Sequence, residues 1–555
     1  MIRNLLLLTL IFLSQQNLFA QDNTVGLLTY DPSATYEGYN LIYPHNQPNV
    51  YILDMCGQIV HQWTDDVDFR PGNTAYIMPD GKLIKTKRAS IISSDPIWAG
   101  GGGATVEIRD WDNNLEWSYT INDENERLHH DIAVKGNGNI LMVVWEYKSV
   151  EEVIQAGRDT STLVDGTMWP DKVIEVDPST NEIVWEWHTW DHLIQDFDPT
   201  KDNFGVVADH PERININYDD NAGKADWMHT NATDYSEERR QVMISVPTFH
   251  EVWIIDNTTT TEEAASTFGG FGNRGGDLMY RFGNPAAHGN GTADDQKLFY
   301  QHDARWVDDF LSPAHPHFGK ISVFNNRVGA DFSTTNIIDP NWDMYKWTYL
   351  TEDTQWGPSE FDLTITHPTP TEMWSTGLSS MQALDNGNYL ICVGRFGYSF
   401  EIDPEGEIVW EYKTPRNGQA PATQGDILEI NNNLTFRMAR YPVDFDGFEN
   451  RSLEPQGYLE LEPNLEFCGL ILSTDQTPMF YDLNVYPNPA NDFLTIEYNT
   501  GKSVDIRIFD LMGRELYHMT SMGGRSYVDI SNWATGVYLV EIERMEMRKL
   551  IVQKN

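Results

Sequence analysis

Histidine is scarce in this chain, 15 in 555 residues, and three of them stand in look-alike surroundings. They occur in His129-His130-Asp131, in Trp227-Met228-His229-Thr230-Asn231 and in Gln301-His302-Asp303, each just ahead of an apolar, alternating run. Imidazole titrates near neutrality, so such a group can act as nucleophile, proton donor or acceptor, or metal ligand. Three imidazoles brought together can hold zinc, or one can attack while its neighbours stabilise charge. The residue types alone leave both chemistries open, as well as a purely structural role in bonding adjacent strands.

Whether the three meet depends on the elements that carry them. A short apolar-aromatic strand recurs as GQIVHQW (57–63), NNLEWSY (113–119), NEIVWEW (181–187) and GEIVWEY (406–412), each after an acidic or Asn/Gly turn. Turns of that type between alternating runs predict β-hairpins. Second hairpins are predicted at 75–85, 131–143, 232–245, 305–324 and 381–392. Four-stranded units repeated at least five times, with almost no helical periodicity, predict an all-β, six-bladed β-propeller interrupted by insertions at 188–226 and 328–375. A β-sandwich or β-helix would not duplicate the same hairpin pair five times. In a propeller, equivalent positions are related by rotation about one axis. His130 (or its neighbour His129), His229 and His302 therefore converge at one mouth of the channel, where the other blades offer Asn73-Thr74 and Ser379-Ser380.

The formal charge of −45 excludes nucleic acid and anionic membranes as partners. An anionic substrate would need a local basic pocket inside a repulsive field. Three cysteines, Cys56, Cys392 and Cys468, allow one disulfide at most. The first 20 residues, with Arg3, an apolar run and Leu18-Phe19-Ala20, read as a cleavable signal peptide, too short to span a bilayer. No other segment is long and apolar enough to be membrane-spanning. A large domain is expected over 21–475 and a small β-sandwich over 476–555.

The segments DWDNNLEWSY, LHHDIAVKGNGNIL, DKVIEVDPSTNEIVWEW, DWMHTN, FYQHDARW and ALDNGNYL resemble the bacterial arylsulfotransferase (ASST) family, across about 40 to 415. The resemblance implies a propeller with its site in the channel, and sulfuryl transfer from a phenolic sulfate ester to a phenol without a nucleotide donor or other cofactor. It implies a sulfated histidine intermediate, with His302 as nucleophile. His130 or His129, and His229, would contact the sulfuryl oxygens or leaving phenolate, supported by Asn231, and protonated histidines would do the neutralising. One departure stands out. Where the resemblance implies an arginine, this chain has Pro247, which carries neither charge nor donor. The same after-strand position elsewhere holds Arg88, Glu146, Arg327 and Arg395, so Arg327 or Arg395, with His250, is expected to replace the lost guanidinium. The alternative is a propeller that keeps the fold as a surface binding or scaffold protein.

From 476 onward, Tyr486-Pro487-Asn488-Pro489 and Ala534-Thr535-Gly536-Val537-Tyr538 resemble the C-terminal sorting domain of the type IX secretion system of Bacteroidetes. This implies the type IX machinery as a partner and a secreted or cell-surface location.

Overall fold

The computed structural model describes residues 23–90, 95–352, 355–469, 484–497, 504–510, 514–521, 525–542 and 546–554. The expected signal peptide and the expected boundary at 475/476 lie outside the described residues. The chain divides into two compact units, one ending at Cys468 and the other beginning at Gly469. No helix of the described residues is long and apolar enough to cross a membrane.

The first unit is all-β apart from short helical turns such as Val150–Gln155. Among the described residues it contains six antiparallel sheets of four or five strands, here numbered I to VI in chain order. Sheet II runs through Phe69–Ile77, Leu83–Ala89, Thr105–Arg109 and Leu115–Thr120 in simple succession. Sheets III, IV and V repeat that order from first strands Glu126–Val134, Ala232–Ser236 and His302–Trp306, and sheet VI from Ser380–Ala383. Each first strand touches the first strand of the next sheet. The series closes through Thr435–Pro442, which touches both Ser380–Ala383 and Phe69–Ile77. The result is a propeller-like ring with the first strands innermost.

The apolar sequence is nearly continuous along the strands because both faces are covered. In Gln241–Val246 of sheet IV, Val242 and Ile244 pack with Leu141, Val173 and Trp187 of sheet III. Met243 points the other way, onto Ala304 and Val323 of sheet V. Period-two alternation thus feeds two interfaces at once, and each fully buried aliphatic side chain contributes about 1.5–3 kcal/mol.

Sheet I is assembled from both ends of the unit. Gly38–Pro44, Val50–Leu53 and Ile59–Trp63 accept Thr435–Pro442 as the innermost strand. Gly26–Tyr30 conversely extends sheet VI by pairing with Ile408–Lys413. Where these sheets meet, the fully buried Arg440 pairs with Glu401, and Gln382 makes two bonds to the Arg440 backbone. Cys56 and Cys468 form a disulfide that pins the end of the unit to sheet I, while Cys392 is free and buried.

The second unit is a two-sheet β-sandwich. Strands Asn484–Tyr486, Phe493–Glu497 and Arg525–Asp529 form one sheet, and Val504–Asp510, Glu515–Ser521, Gly536–Ile542 and Glu546–Val552 the other. Leu494, Ile496 and Val528 meet Ile508, Val540 and Leu550 between them.

Closure of the ring generates a stability prediction. Reducing Cys56–Cys468 lowers the unfolding free energy of the first unit by about 2–4 kcal/mol. In denaturant titrations, a thiol reductant shifts the wild-type midpoint downward. The Cys56→Ser variant starts at the lower midpoint and does not respond to reductant.

Candidate active site

The site begins as an irregularity in the inner strands. The pairing register of Glu126–Val134 shifts opposite Met142/Val144, and that of His302–Trp306 shifts between His302 and Arg305. At these bulges, and just before Ala232–Ser236, the chain enters left-handed conformation at His130 (φ 49°), His229 (φ 55°) and Asp303 (φ 56°). A non-glycine residue held there costs of order 1–3 kcal/mol and persists only where surroundings enforce it. The equivalent strands of sheets II and VI do the same at Asn73 and Ser379. The repeat therefore interrupts the inner strand at the same level in successive sheets, and at or directly beside that interruption stand His130, His229 and His302.

The three rings share one chamber. His130 and His229 have ring centroids 4.6 Å apart. The Tyr300 ring lies 6.3 Å from His229 and 5.9 Å from His302. Each histidine spends Nδ1 on the protein, and no described protein group hydrogen-bonds its Nε2. The Nδ1 of His302 lies 2.8 Å from Asn326 Oδ1 and 3.2 Å from the Tyr300 carbonyl. His229 Nδ1 lies 2.5 Å from Asp226 Oδ2. His130 Nδ1 faces Nδ1 of His129 at 2.9 Å.

These partners fix tautomers. The Asn326 amide nitrogen donates to the Ser375 and Leu378 carbonyls, each at 3.0 Å, so its oxygen must face His302. An amide oxygen and a carbonyl can only accept, which makes His302 Nδ1 the N–H and leaves the lone pair on Nε2. Burial holds the His302 pKa down, to about 3, although the bond to Asn326 opposes the shift. Burial, with His229 and His129 nearby, also holds His130 well below the ordinary range. His229 differs. Burial disfavours its charge, but the Asp226 carboxylate outweighs this and raises its pKa. Burial thus favours the neutral imidazole at His302 and His130, while the Asp226 carboxylate favours the cation at His229.

The remaining expected residues divide by what they touch. His129 is fully buried behind His130, stacked on Trp145 at 4.0 Å with Asp171 Oδ1 3.1 Å from its Nε2. Asn231, also fully buried, donates to the Gln301 carbonyl at 2.8 Å and so braces the chain next to His302. Both nitrogens of His250 are engaged, Nε2 with Asp220 at 2.7 Å and Nδ1 as acceptor from the Tyr300 N–H at 2.9 Å. Arg327 lies flat on the Tyr300 ring, 3.5 Å from its centroid, and donates to the Thr376 carbonyl. Its charge acts on both His302 and His229. Arg395 bonds Asn431 and stands beside Gly377, the residue that separates it from His302. Pro247 opens a turn in which the Thr248 hydroxyl bonds the Trp227 and Met228 carbonyls, anchoring the segment that bears His229.

Sequence patterns did not reveal the walls. A cavity of about 340 Å³ opens above His229, lined by Trp98, Trp169, Lys224, Asp226 and Tyr300 among others. Trp98 and Trp169 lie outside the repeated strands and share no register with one another, so no periodicity could announce them. Gly101 closes one side: a Cβ there would lie 2.0 Å from the His130 ring, and its carbonyl accepts the His130 N–H. Below the histidines the channel is filled. The Asp131 carboxylate receives Arg437, Arg305, the Tyr76 hydroxyl and the Thr233 N–H. Burial pushes Asp131 upward, yet the two guanidiniums hold it at about 2.

The tautomer assignment is directly measurable. Ring ¹⁵N NMR should show His302 as neutral Nδ1–H across pH 5–8. In the Asn326→Leu variant, which keeps only the 3.2 Å contact to the Tyr300 carbonyl, this preference should weaken and the Nε2–H form should become detectable. An Nε2–H wild-type ring contradicts the geometry.

Residues 24–420 match the family Arylsulfotransferase (ASST), and residues 484–553 match the secretion system C-terminal sorting domain. No curated protein sequence matches the chain. A solved protein of unknown function from Bacteroides caccae is 10% identical, with 68% of this chain and 93% of that chain covered and a TM-score of 0.36. Virginiamycin B lyase from Staphylococcus aureus is 10% identical, with 68% and 85% covered and a TM-score of 0.29. Likenesses this remote carry no argument about function. The terminal match identifies a type IX secretion sorting domain, which directs proteins to secretion or the cell surface. With well over half of its length matched, the chain belongs to the arylsulfotransferase (ASST) family.

Proposed function

We propose that the protein is an exported, nucleotide-independent aryl sulfotransferase whose six sheets are the blades of a propeller and whose His302 carries the sulfuryl group. The observation that supports this best is the fixed Nδ1–H tautomer of His302, which leaves a neutral Nε2 lone pair in the chamber. In the first half-reaction Nε2 attacks sulfur, an S–N bond forms, the S–O bond to the aryl group breaks, and the phenolate leaves. The second half-reaction reverses these bonds with an acceptor phenol. Asn326 keeps accepting Nδ1–H as the ring becomes cationic, and so favours the intermediate.

Around that atom the roles follow from reach. His130 and His229 border the transferring group, and Trp98, Trp169 and Tyr300 offer aromatic faces to an aryl ring. Arg327, with Arg395 beside it, supplies the positive charge absent at Pro247. It also makes a local basic rim within an acidic protein. His129, Asn231 and His250 act by positioning, through His129 Nδ1 on His130, Asn231 Nδ2 on the Gln301 carbonyl and His250 Nδ1 on the Tyr300 N–H.

Steady-state transfer from 4-nitrophenyl sulfate to phenol tests the reading. Ping-pong kinetics are expected, with no turnover in His302→Gln. Arg327→Ala and Arg395→Ala, made singly, should show the larger loss at Arg327, on the order of 10²–10³ in kcat for a lost transition-state donor. Unchanged rates in both would remove the arginines from the mechanism.

A further inference from the structure

Among the three histidines of the chamber, His229 alone combines three properties. Its Nδ1 is bonded to a carboxylate, its Nε2 has no described protein partner, and both it and Asp226 line the cavity where an aryl ring would sit. His302 has an amide oxygen at Nδ1, His130 has another imidazole, and His250 has both nitrogens occupied. The other Asp226 oxygen, Oδ1, is buried without a hydrogen bond, so the carboxylate is committed to His229.

Resting on the sulfuryl-transfer reading, we infer that Asp226 and His229 form the acid–base dyad of the site. His229 handles the phenolic proton and His302 handles the sulfuryl group. As the S–O bond breaks, the His229 Nε2–H passes its proton to the departing aryl oxygen, leaving a neutral imidazole and a free phenol. The acceptor phenol then gives its proton to Nε2 as its oxygen attacks the sulfuryl group on His302, which restores both histidines. Asp226 is the positioning residue: it receives Nδ1–H and stabilises the cationic form through which the proton passes. The groups facing His229 are Asp171 and His130 from sheet III, Arg327 and Tyr300 from the sheet V side, and Asp226 on its own segment. Arg327 opposes the charge on His229, and the two carboxylates favour it.

A leaving-group comparison tests this, because an acidic phenol departs without a proton and a weakly acidic one does not. Single-turnover desulfation is measured with 4-nitrophenyl sulfate and with unsubstituted phenyl sulfate. In Asp226→Asn, the nitrophenyl ester should lose far less than the phenyl ester, and its continued reaction shows that His302 still accepts the sulfuryl group. The phenyl ester should lose at least about 10²-fold, the usual contribution of a positioned general acid. Asp226→Glu should recover part of that difference. Equal losses for both esters, with active wild-type protein, overturn the dyad alone. A wild type that transfers from neither ester overturns the sulfotransferase reading and the dyad with it.

Discussion

The Asp131 carboxylate sits where five of the six sheets meet. It belongs to sheet III and receives Arg437 from sheet I, Tyr76 from sheet II, the Thr233 N–H from sheet IV and Arg305 from sheet V. A buried charge is tolerable only when it is paired and its lone pairs are filled, and removing one partner of such a pair costs about 3–5 kcal/mol. Here the pairing fixes the axis of the ring. It also fixes the chemistry, because His130 precedes Asp131 directly. Asp303, which Arg305 and Arg437 also bind, follows His302 directly. The network that holds the sheets in register is thus one residue from two of the three histidines, and it floors the chamber into which they project.

Above that floor, function depends on three different anchors for the same atom type. Imidazole at His302, His229 and His130 would be interchangeable in isolation. An amide oxygen, a carboxylate and a second imidazole at Nδ1 make them unequal. Burial favours neutrality at His302 and His130, whereas at His229 the Asp226 carboxylate outweighs burial and favours the cation. On the proposed reading a sulfate ester would enter from a strongly acidic surface, and the arginines beside Tyr300 would give it local positive charge that the net charge hides.

Much of this arrangement was legible because the sequence repeats. The hairpin pairs at 131–143 and 232–245 gave the strands, and the common position of His130, His229 and His302 gave their convergence. Ring closure was less visible. Thr435–Pro442 joins sheet I by pairing with residues some 400 positions earlier, a contact no local pattern encodes. Side-chain direction was also hidden. His250 and Asn231 have the residue types of substrate contacts, but their hydrogen bonds run to Tyr300 and Gln301. Asn326 illustrates the reverse case: its segment ISVFNN is similar to the family, but only the orientation of its amide shows that it sets the His302 tautomer.

Sulfuryl transfer by the proposed route requires Nε2 of His302 to become covalently bonded to sulfur. Rapid acid-free quenching of the enzyme with 4-nitrophenyl sulfate and no acceptor, followed by peptide mass spectrometry, tests it most directly. One sulfuryl group is expected on the peptide containing His302, discharged by added phenol and absent in His302→Gln. A folded enzyme that transfers sulfate while the label sits on another residue, or on none, would contradict it.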